Sequence, residues 1–169
     1  YEAKQIANFI IHQVKCLLGK DTRDCVITDA TAGVGGDTIS FSRYFKTVNS
    51  VELLLDNFDL LSFNCKEFTN IQLYHNDYLK LINILPQDVV YIDPPWGGIG
   101  YKNKNKLDLY LSNMEIYKII AEIKNYHPNS LVFLKLPLNA NLNNIDIKNK
   151  FVILNKKELP SFYLIQITK

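Results

Sequence analysis

Apolar residues follow two patterns along this chain, one typical of helices and one typical of buried strands. In the first 18 residues they recur three and four positions apart, which predicts an amphipathic helix that ends near Gly19. Further helices are predicted over residues 38–44, 57–68, 79–85 and 109–126. Short, continuously apolar segments predict buried strands. These strands are 25–29, 48–55, 71–75, 88–92, 131–136, 151–154 and 162–167.

Helices that alternate with continuously apolar strands are typical of a parallel sheet covered on both faces. We therefore predict an α/β fold with a doubly wound, seven-stranded, mostly parallel sheet. The last two strands are joined by a turn that contains Pro160 rather than by a long helix, which predicts an antiparallel edge. There is no internal repeat and no obvious linker, so residues 1–169 are predicted to form one domain with a leading helix over residues 1–20.

The composition, 47% hydrophobic and 21% charged, is that of a globular protein. A net charge of +2 permits a polyanionic partner without requiring one. No apolar segment reaches the roughly 18 residues of a membrane span, and no signal peptide is visible. We therefore expect a protein of the cytoplasm or nucleus without a membrane partner.

The cysteines, Cys16, Cys25 and Cys65, lie far apart in apolar surroundings. Their number is odd, and their spacing is that of neither a zinc site nor a disulfide framework. We expect buried thiols in a reducing compartment, and no bound metal.

Candidate chemistry is concentrated in the segment Asp93-Pro94-Pro95-Trp96-Gly97-Gly98, which directly follows a predicted strand. Two prolines fix φ and remove two backbone donors, so this loop is stiff. It presents a carboxylate, carbonyl groups without competing amides, and the aromatic face of the one tryptophan in the chain. Such a loop suits a planar substrate that carries nitrogen.

A glycine loop, residues 29–36 with the sequence Asp-Ala-Thr-Ala-Gly-Val-Gly-Gly, follows the first predicted strand. In open α/β sheets, ligands bind at the carboxyl ends of the strands, and small residues let the backbone approach a ligand closely. A tight turn from strand to helix also needs glycines, so a purely structural role stays open.

Two acids complete the pattern. Glu52 lies near the end of the second strand, about 20 residues beyond the glycine loop, where an acid typically binds ribose hydroxyls; Asp56 is the competing candidate. Asp77 follows the third strand and is placed either to accept from the adenine amine or to cap a turn. The chain lacks a second Gly-x-x-Gly and a Gly-Lys-Ser/Thr, which favours a phosphate-poor nucleoside ligand.

The strings Asp29-Ala-Thr-Ala-Gly-Val-Gly-Gly-Asp-Thr38 and Asp93-Pro-Pro-Trp-Gly-Gly98 together resemble the trimethylguanosine synthase family of RNA cap methyltransferases. The resemblance runs from about Ile6 to the C-terminus. It implies a Rossmann-like class I methyltransferase fold, S-adenosylmethionine as cofactor, and transfer of methyl groups to N2 of the 7-methylguanosine cap of RNA. We also expect a monomer.

The resemblance implies roles for individual residues. The cofactor would be bound by Asp29, Thr31, Gly33, Gly35, Glu52, Asp77 and Asp93. The capped substrate would be bound by Pro95, Trp96, Tyr101 and Lys102, with Lys104 and Lys106 either near the cap phosphates or in a solvated loop.

Catalysis is expected to rest on Asp93 and Pro94. The Asp93 carboxylate and the Pro94 carbonyl would accept the two N–H bonds of an exocyclic amine and favour its attack on the methyl group. The best-known family members carry Ser where this chain has Asp93, and Asp-Pro-Pro-aromatic is common in enzymes that methylate adenine N6 or guanine N2. A methyltransferase for internal RNA or DNA bases, and a non-catalytic cap-binding module, are therefore the alternatives.

Overall fold

The computed structural model describes residues 2–143, 145, 147–154 and 160–167. The helices of this part of the chain are α1 (Glu2–Leu18), α2 (Gly36–Ser42), α3 (Leu55–Cys65) and α4 (Ile116–Tyr126). The strands are β1 (Val26–Asp29), β2 (Thr47–Glu52), β3 (Ile71–His75), β4 (Val89–Ile92), β5 (Tyr110–Leu111), β6 (Met114–Glu115), β7 (Leu131–Leu136), β8 (Ile147–Leu154) and β9 (Pro160–Ile167).

Seven strands form one sheet in the order β3-β2-β1-β4-β7-β9-β8. The first five are parallel to their neighbours, whereas β9 runs antiparallel to both β7 and β8. This confirms the predicted α/β fold, a doubly wound, mostly parallel sheet with an antiparallel edge. The antiparallel strand β9 itself lies one place inside the outermost strand, β8.

Helices cover both faces of the sheet, and strand β4 shows why its sequence is apolar throughout. Val89 and Tyr91 pack on the face covered by α1, together with Ile6 and Ile10. Val90 and Ile92 pack on the other face, in the core that contains Ile119 and Ile123 of α4. Since every side chain of β4 is buried, an alternating pattern is excluded and a continuous apolar segment results.

The helix predicted over residues 79–85 is wrong. Asp77 caps a single 3-10 turn, Tyr78–Lys80, and turns follow. Pro86 disfavours helical backbone in the residue before it, which opposes a helix that reaches residue 85.

The helix predicted over residues 109–126 begins later, at Ile116. The preceding residues form a β5–β6 hairpin, with Tyr110 opposite Glu115 and Leu111 opposite Met114. Its turn contains Ser112 at a φ of 52°, a left-handed conformation that interrupts a helix. The strand predicted over residues 48–55 likewise ends early, at Glu52.

Two smaller predictions concern the cysteines and Pro160. Cys16 is exposed on α1, contrary to the prediction that all the cysteines are buried; Cys25 and Cys65 are buried, and all of them are free thiols. Pro160 is the first residue of β9, a position that needs no ladder donor, and the rest of the predicted turn, 155–159, lies outside the described residues. Within the described ranges no helix has the length and apolar character to cross a membrane.

Candidate active site

The loop that follows β4 lies between two clefts at the carboxyl ends of the strands. The sheet order reverses between β1 and β4, which is where open α/β sheets bind ligands. We call the first cleft the glycine-loop cleft; it has a volume of about 460 Å³ and is lined by Thr31, Gly33, Glu52, Asp77 and Ser112 among others. The second, the tryptophan cleft, has a volume of about 780 Å³ and is lined by Glu2, Trp96, Tyr101, Lys102, Lys135 and Phe162 among others. Asp93 and Pro95 line both clefts.

The glycines of the glycine loop have different tasks. Gly33 lines the cleft at a φ of 55°, where a side chain is disfavoured. Gly35 precedes α2 at a φ of 99°, and a Cβ atom there would lie 2.9 Å from Cδ1 of Leu61. Gly35 therefore permits α2 to pack against α3, which is the structural role that the sequence left open.

Glu52 has partners for both of its carboxylate oxygens. It is 8% exposed at the end of β2. Its Oε2 accepts from the Gly33 N–H at 2.8 Å, and its Oε1 accepts from the Leu54 N–H at 2.8 Å. The second bond turns the chain out of the strand, which explains why β2 ends three residues earlier than predicted.

Asp77 has the structural role that the sequence left open, because it caps a turn; it also lines the glycine-loop cleft, where the adenine role stays a prediction. Its Oδ1 accepts from the Leu79 N–H at 3.0 Å. Its Oδ2 accepts from the Ser112 hydroxyl at 2.7 Å, and this bond holds the β5–β6 hairpin against the cleft. Asp77 therefore positions one wall of the glycine-loop cleft.

Asp29 is buried beneath the glycine loop at the end of β1. Its Oδ2 accepts from the Thr38 hydroxyl at 2.7 Å, and its Oδ1 has no hydrogen-bond partner among the described residues. Burial and the neighbouring Asp37 raise the pKa of Asp29 to about 7. An acid of this kind favours a cationic ligand nearby, because such a ligand would compensate its charge.

Thr31 connects the two loops of the site. Its hydroxyl oxygen accepts from the backbone N–H of Asp93 at 2.8 Å. The glycine loop and the Asp93-Pro94-Pro95 loop are therefore joined by a direct hydrogen bond, in addition to the β1–β4 pairing that precedes them.

Asp93 forms an ion pair with Lys135 of β7. The Lys135 Nζ lies 3.0 Å from Oδ2 of Asp93 and 2.7 Å from Oε1 of Glu2, at the start of α1. Burial raises the pKa of Asp93 to about 6, although Lys135 acts in the opposite direction. Burial also opposes the charged form of Lys135, but Asp93, Glu2 and Asp37 outweigh it and hold its pKa above the ordinary value.

Trp96 is partly buried and packs against both core clusters while it lines the tryptophan cleft. Its ring meets Tyr101 edge-on, with centroids 5.3 Å apart and planes at 71°. The two rings therefore do not form a pair of parallel stacking faces. Phe162 of β9 lies on another side, 6.4 Å from Trp96 between centroids.

The basic segment beyond Trp96 is held by one side chain, Asn139. Its amide donates to the carbonyls of Tyr101 and Lys104, both at 2.8 Å. Lys102 lines the tryptophan cleft, whereas Lys104 and Lys106 are exposed.

Sequence reasoning missed several residues of the site. Lys135 carried a signal, since a charged residue inside an apolar strand needs a partner, just as Glu52 does. Glu2, Ser112 and Asn139 carried none, because each acts on a segment distant from it along the chain. The residues that line the two clefts and were not predicted include Glu2, Ser112, Lys135, Asn139 and Phe162.

Comparison with known proteins gives matches that extend over most of the chain. Residues 24–165 match the model of a family described as RNA cap guanine-N2 methyltransferase. The chain is 34% identical over 149 residues to the uncharacterized protein L320 of Acanthamoeba polyphaga mimivirus, which covers 85% of this chain and 58% of that protein. It is 28% identical over 160 residues to the trimethylguanosine synthase of Saccharomyces cerevisiae, which covers 89% of this chain and 49% of that protein. The chain thus spans about half the length of these relatives.

A solved structure supports the fold. The chain superposes on SMU.1697c of Streptococcus mutans, a protein solved in complex with SAH, with a TM-score of 0.57 and 14% identity over 94% of this chain and 97% of that one. At this identity the likeness concerns the fold alone, which is that of a Rossmann-like class I methyltransferase.

Proposed function

This chain belongs to the RNA cap guanine-N2 methyltransferase family, and on that premise we propose that it transfers a methyl group from S-adenosylmethionine to the exocyclic N2 of a 7-methylguanosine RNA cap. One observation carries the proposal: Asp93 and Pro95 line both clefts, so a donor in one cleft and a base in the other would meet at this loop. The relative from Saccharomyces cerevisiae, named as a trimethylguanosine synthase, supports the same assignment.

The glycine-loop cleft fits the cofactor. Its lining includes the acids Glu52, Asp77 and Asp93, which favour a cationic ligand such as S-adenosylmethionine. Beneath the loop, Oδ1 of Asp29 has no hydrogen-bond partner among the described residues. Gly33 would let the backbone approach the methionine end, Glu52 would hold the ribose, and Asp77 the adenine. When bound, S-adenosylmethionine supplies an electrophilic methyl group on sulfonium.

The tryptophan cleft fits a methylated base. A 7-methylguanine ring is cationic, so its stacking on Trp96 gains cation–π attraction of roughly 0.5–2 kcal/mol. Glu2 and Asp93 in the same cleft are both paired with Lys135, so the aromatic face rather than their charge would favour a cationic ring. Lys102 would contact the phosphates of the cap.

Activation of the amine would fall to Asp93 and Pro94. The lone pair of an aromatic amine is delocalised into its ring, which makes the nitrogen a weak nucleophile. The Asp93 carboxylate and the Pro94 carbonyl would accept its N–H bonds and keep the lone pair out of conjugation. Thr31 fixes the Asp93 backbone while this occurs.

The test is to incubate the protein with labelled S-adenosylmethionine and three RNAs that differ only at the 5′ end: a 7-methylguanosine cap, an unmethylated guanosine cap, and no cap. We expect label on the first RNA only, in N2-methylated guanosine after digestion. Label on all three would indicate a methyltransferase for internal bases. If calorimetry showed no binding of S-adenosylmethionine, both methyltransferase functions would be excluded and a non-catalytic cap-binding module would be the remaining function.

A further inference from the structure

Lys135 is a buried lysine that the proposed transfer reaction leaves without a task. It lies on the interior strand β7 between Leu134 and Leu136, which are fully buried, and its side chain is 12% exposed. A buried ammonium is strongly unfavourable unless it is paired. Here it has two carboxylates, from Glu2 and Asp93, within 3.0 Å.

We propose that Lys135 is a positioning residue: held between Glu2 and Asp93, it keeps the Asp93 carboxylate ionised and in place, so that this carboxylate accepts the proton of the amine that is methylated. The inference rests on the proposed function, because Asp93 accepts this proton only if the protein methylates an amine. It adds a residue from β7 and one from α1 to the groups that act on the acceptor amine.

The charges around Asp93 show why a cation is needed there. Asp29 from β1, Asp37 from α2 and Glu2 from α1 all face it, and each repels a negative charge on Asp93. Tyr91 of β4 is uncharged and donates its hydroxyl to Asp37 at 2.9 Å. In the part of the chain that the structure describes, Lys135 is the only cation within ion-pair distance of Asp93.

Two aromatic rings hold the ammonium in its place. The Lys135 Nζ lies 4.8 Å from the ring centroid of Phe162 and 6.0 Å from that of Trp96, both within the range of cation–π attraction. Four groups therefore fix one nitrogen atom. Because Nζ faces Oδ2 of Asp93, the other oxygen, Oδ1, is left for the substrate.

The proton transfer balances simply. The nitrogen lone pair would form the bond to the methyl carbon while the methyl–sulfur bond breaks and leaves its electron pair on sulfur. One N–H bond would then break, its electron pair would remain on nitrogen, and the proton would move to Oδ1 of Asp93. Only an ionised Asp93 accepts this proton. Lys135 keeps its own protons throughout, since an ammonium between two carboxylates loses them least readily.

The first experiment needs no activity. The carboxyl carbon of Asp93 is titrated by 13C NMR in the full chain, with Asp93→Asn to assign its signal. Lys135→Met, which has nearly the same shape without the charge, should raise the pKa of Asp93 by roughly 1–3 units. Lys135→Arg should leave it within a fraction of a unit. Lys118→Met removes an exposed lysine that pairs with Glu115 and serves as the control, with no change expected.

The second experiment measures methyl transfer to capped RNA against pH. Lys135→Met should shift the acid side of the kcat/KM profile upward by the same amount as the NMR titration, because both report the protein without bound substrate. Activity should be regained at high pH, and cofactor affinity should be unchanged. An unaltered Asp93 titration in Lys135→Met, or a loss that is equal at every pH, would overturn the proposal. Failure of the wild type to methylate capped RNA would instead contradict the proposed function, and the NMR titration would still decide the role of Lys135.

Discussion

In the glycine-loop cleft, Glu52 and Asp77 accept hydrogen bonds from neutral amides and a hydroxyl, whereas in the tryptophan cleft Asp93 pairs with an ammonium group. Neutral donors orient a carboxylate and leave its charge in place, so the first cleft stays attractive to a cation. An ion pair largely cancels the charge of Asp93, and the aromatic faces then contribute more to the choice of ligand. Under the proposals above, carboxylates would serve binding in the glycine-loop cleft and proton transfer at Asp93, where the two clefts meet.

The contrast predicts that substitutions in one cleft leave the other ligand unaffected. The largest effect is expected for Trp96→Ala, which removes the stacking face. We expect kcat/KM for capped RNA to fall about 100-fold, since stacking and cation–π attraction are both lost, while calorimetry shows nearly unchanged cofactor affinity. Trp96→Phe keeps a ring and should lose much less. If kcat/KM for capped RNA and the affinity for the cofactor fell by the same factor, Trp96 would act through the core, against which it also packs.

Glu52→Gln tests the glycine-loop cleft in the same manner. The amide has one acceptor oxygen and one donor group in place of the two carboxylate oxygens. Its side chain therefore cannot accept from the N–H groups of both Gly33 and Leu54. We expect cofactor binding to weaken by about 10- to 100-fold, with the affinity for a cap analogue unchanged. Glu67→Gln, at an exposed position after α3, is the control. Weakened cap binding in Glu52→Gln would show that the two clefts are not independent.

Asp29→Asn should separate stability from ligand binding. Because the folded protein holds the Asp29 proton up to a pKa of about 7, this residue favours folding below pH 4 and that contribution is lost as pH rises toward 7. The asparagine variant should therefore match the wild type near pH 4 and exceed its free energy of unfolding above pH 7 by roughly 2–4 kcal/mol. Urea denaturation at both pH values measures this. Lower stability of the variant than of the wild type at pH 8 would contradict this prediction. The affinity of the variant for the cofactor should fall a few-fold.

The smallest effect is expected for Ser112→Ala. It removes one hydrogen bond to Asp77 and should lower the free energy of unfolding by about 1 kcal/mol, while cofactor affinity stays within about twofold because Oδ2 of Asp77 is freed for the adenine amine. Asp77→Ala serves for comparison, since it removes both the cap and the acceptor. If Ser112→Ala weakened the cofactor as much as Asp77→Ala, the acid would act by positioning the hairpin alone.

Periodicity in the sequence predicted the elements that bury whole faces, such as α1, β4 and β7, since burial there depends on local pattern. It was wrong over residues 109–115, where Leu111 and Met114 have helical spacing but Ser112 adopts left-handed backbone. The positions of Glu52 and Asp77 in the cleft lining could be predicted because each lies at or just beyond the end of a strand. The positions of Glu2 and Lys135 could not, because their contact depends on how α1 lies across the sheet from β7.

The hydrogen bond from the Asp93 amide to the Thr31 hydroxyl has a dynamic consequence. Pro94 and Pro95 have no amide hydrogen, so this bond is the polar link of the stiff loop to its neighbour at that point. A displacement of the glycine loop would therefore carry the loop after β4 with it. The spacing between the two clefts would then be preserved during thermal fluctuation, and backbone relaxation of residues 31 and 93 should report a single correlated motion.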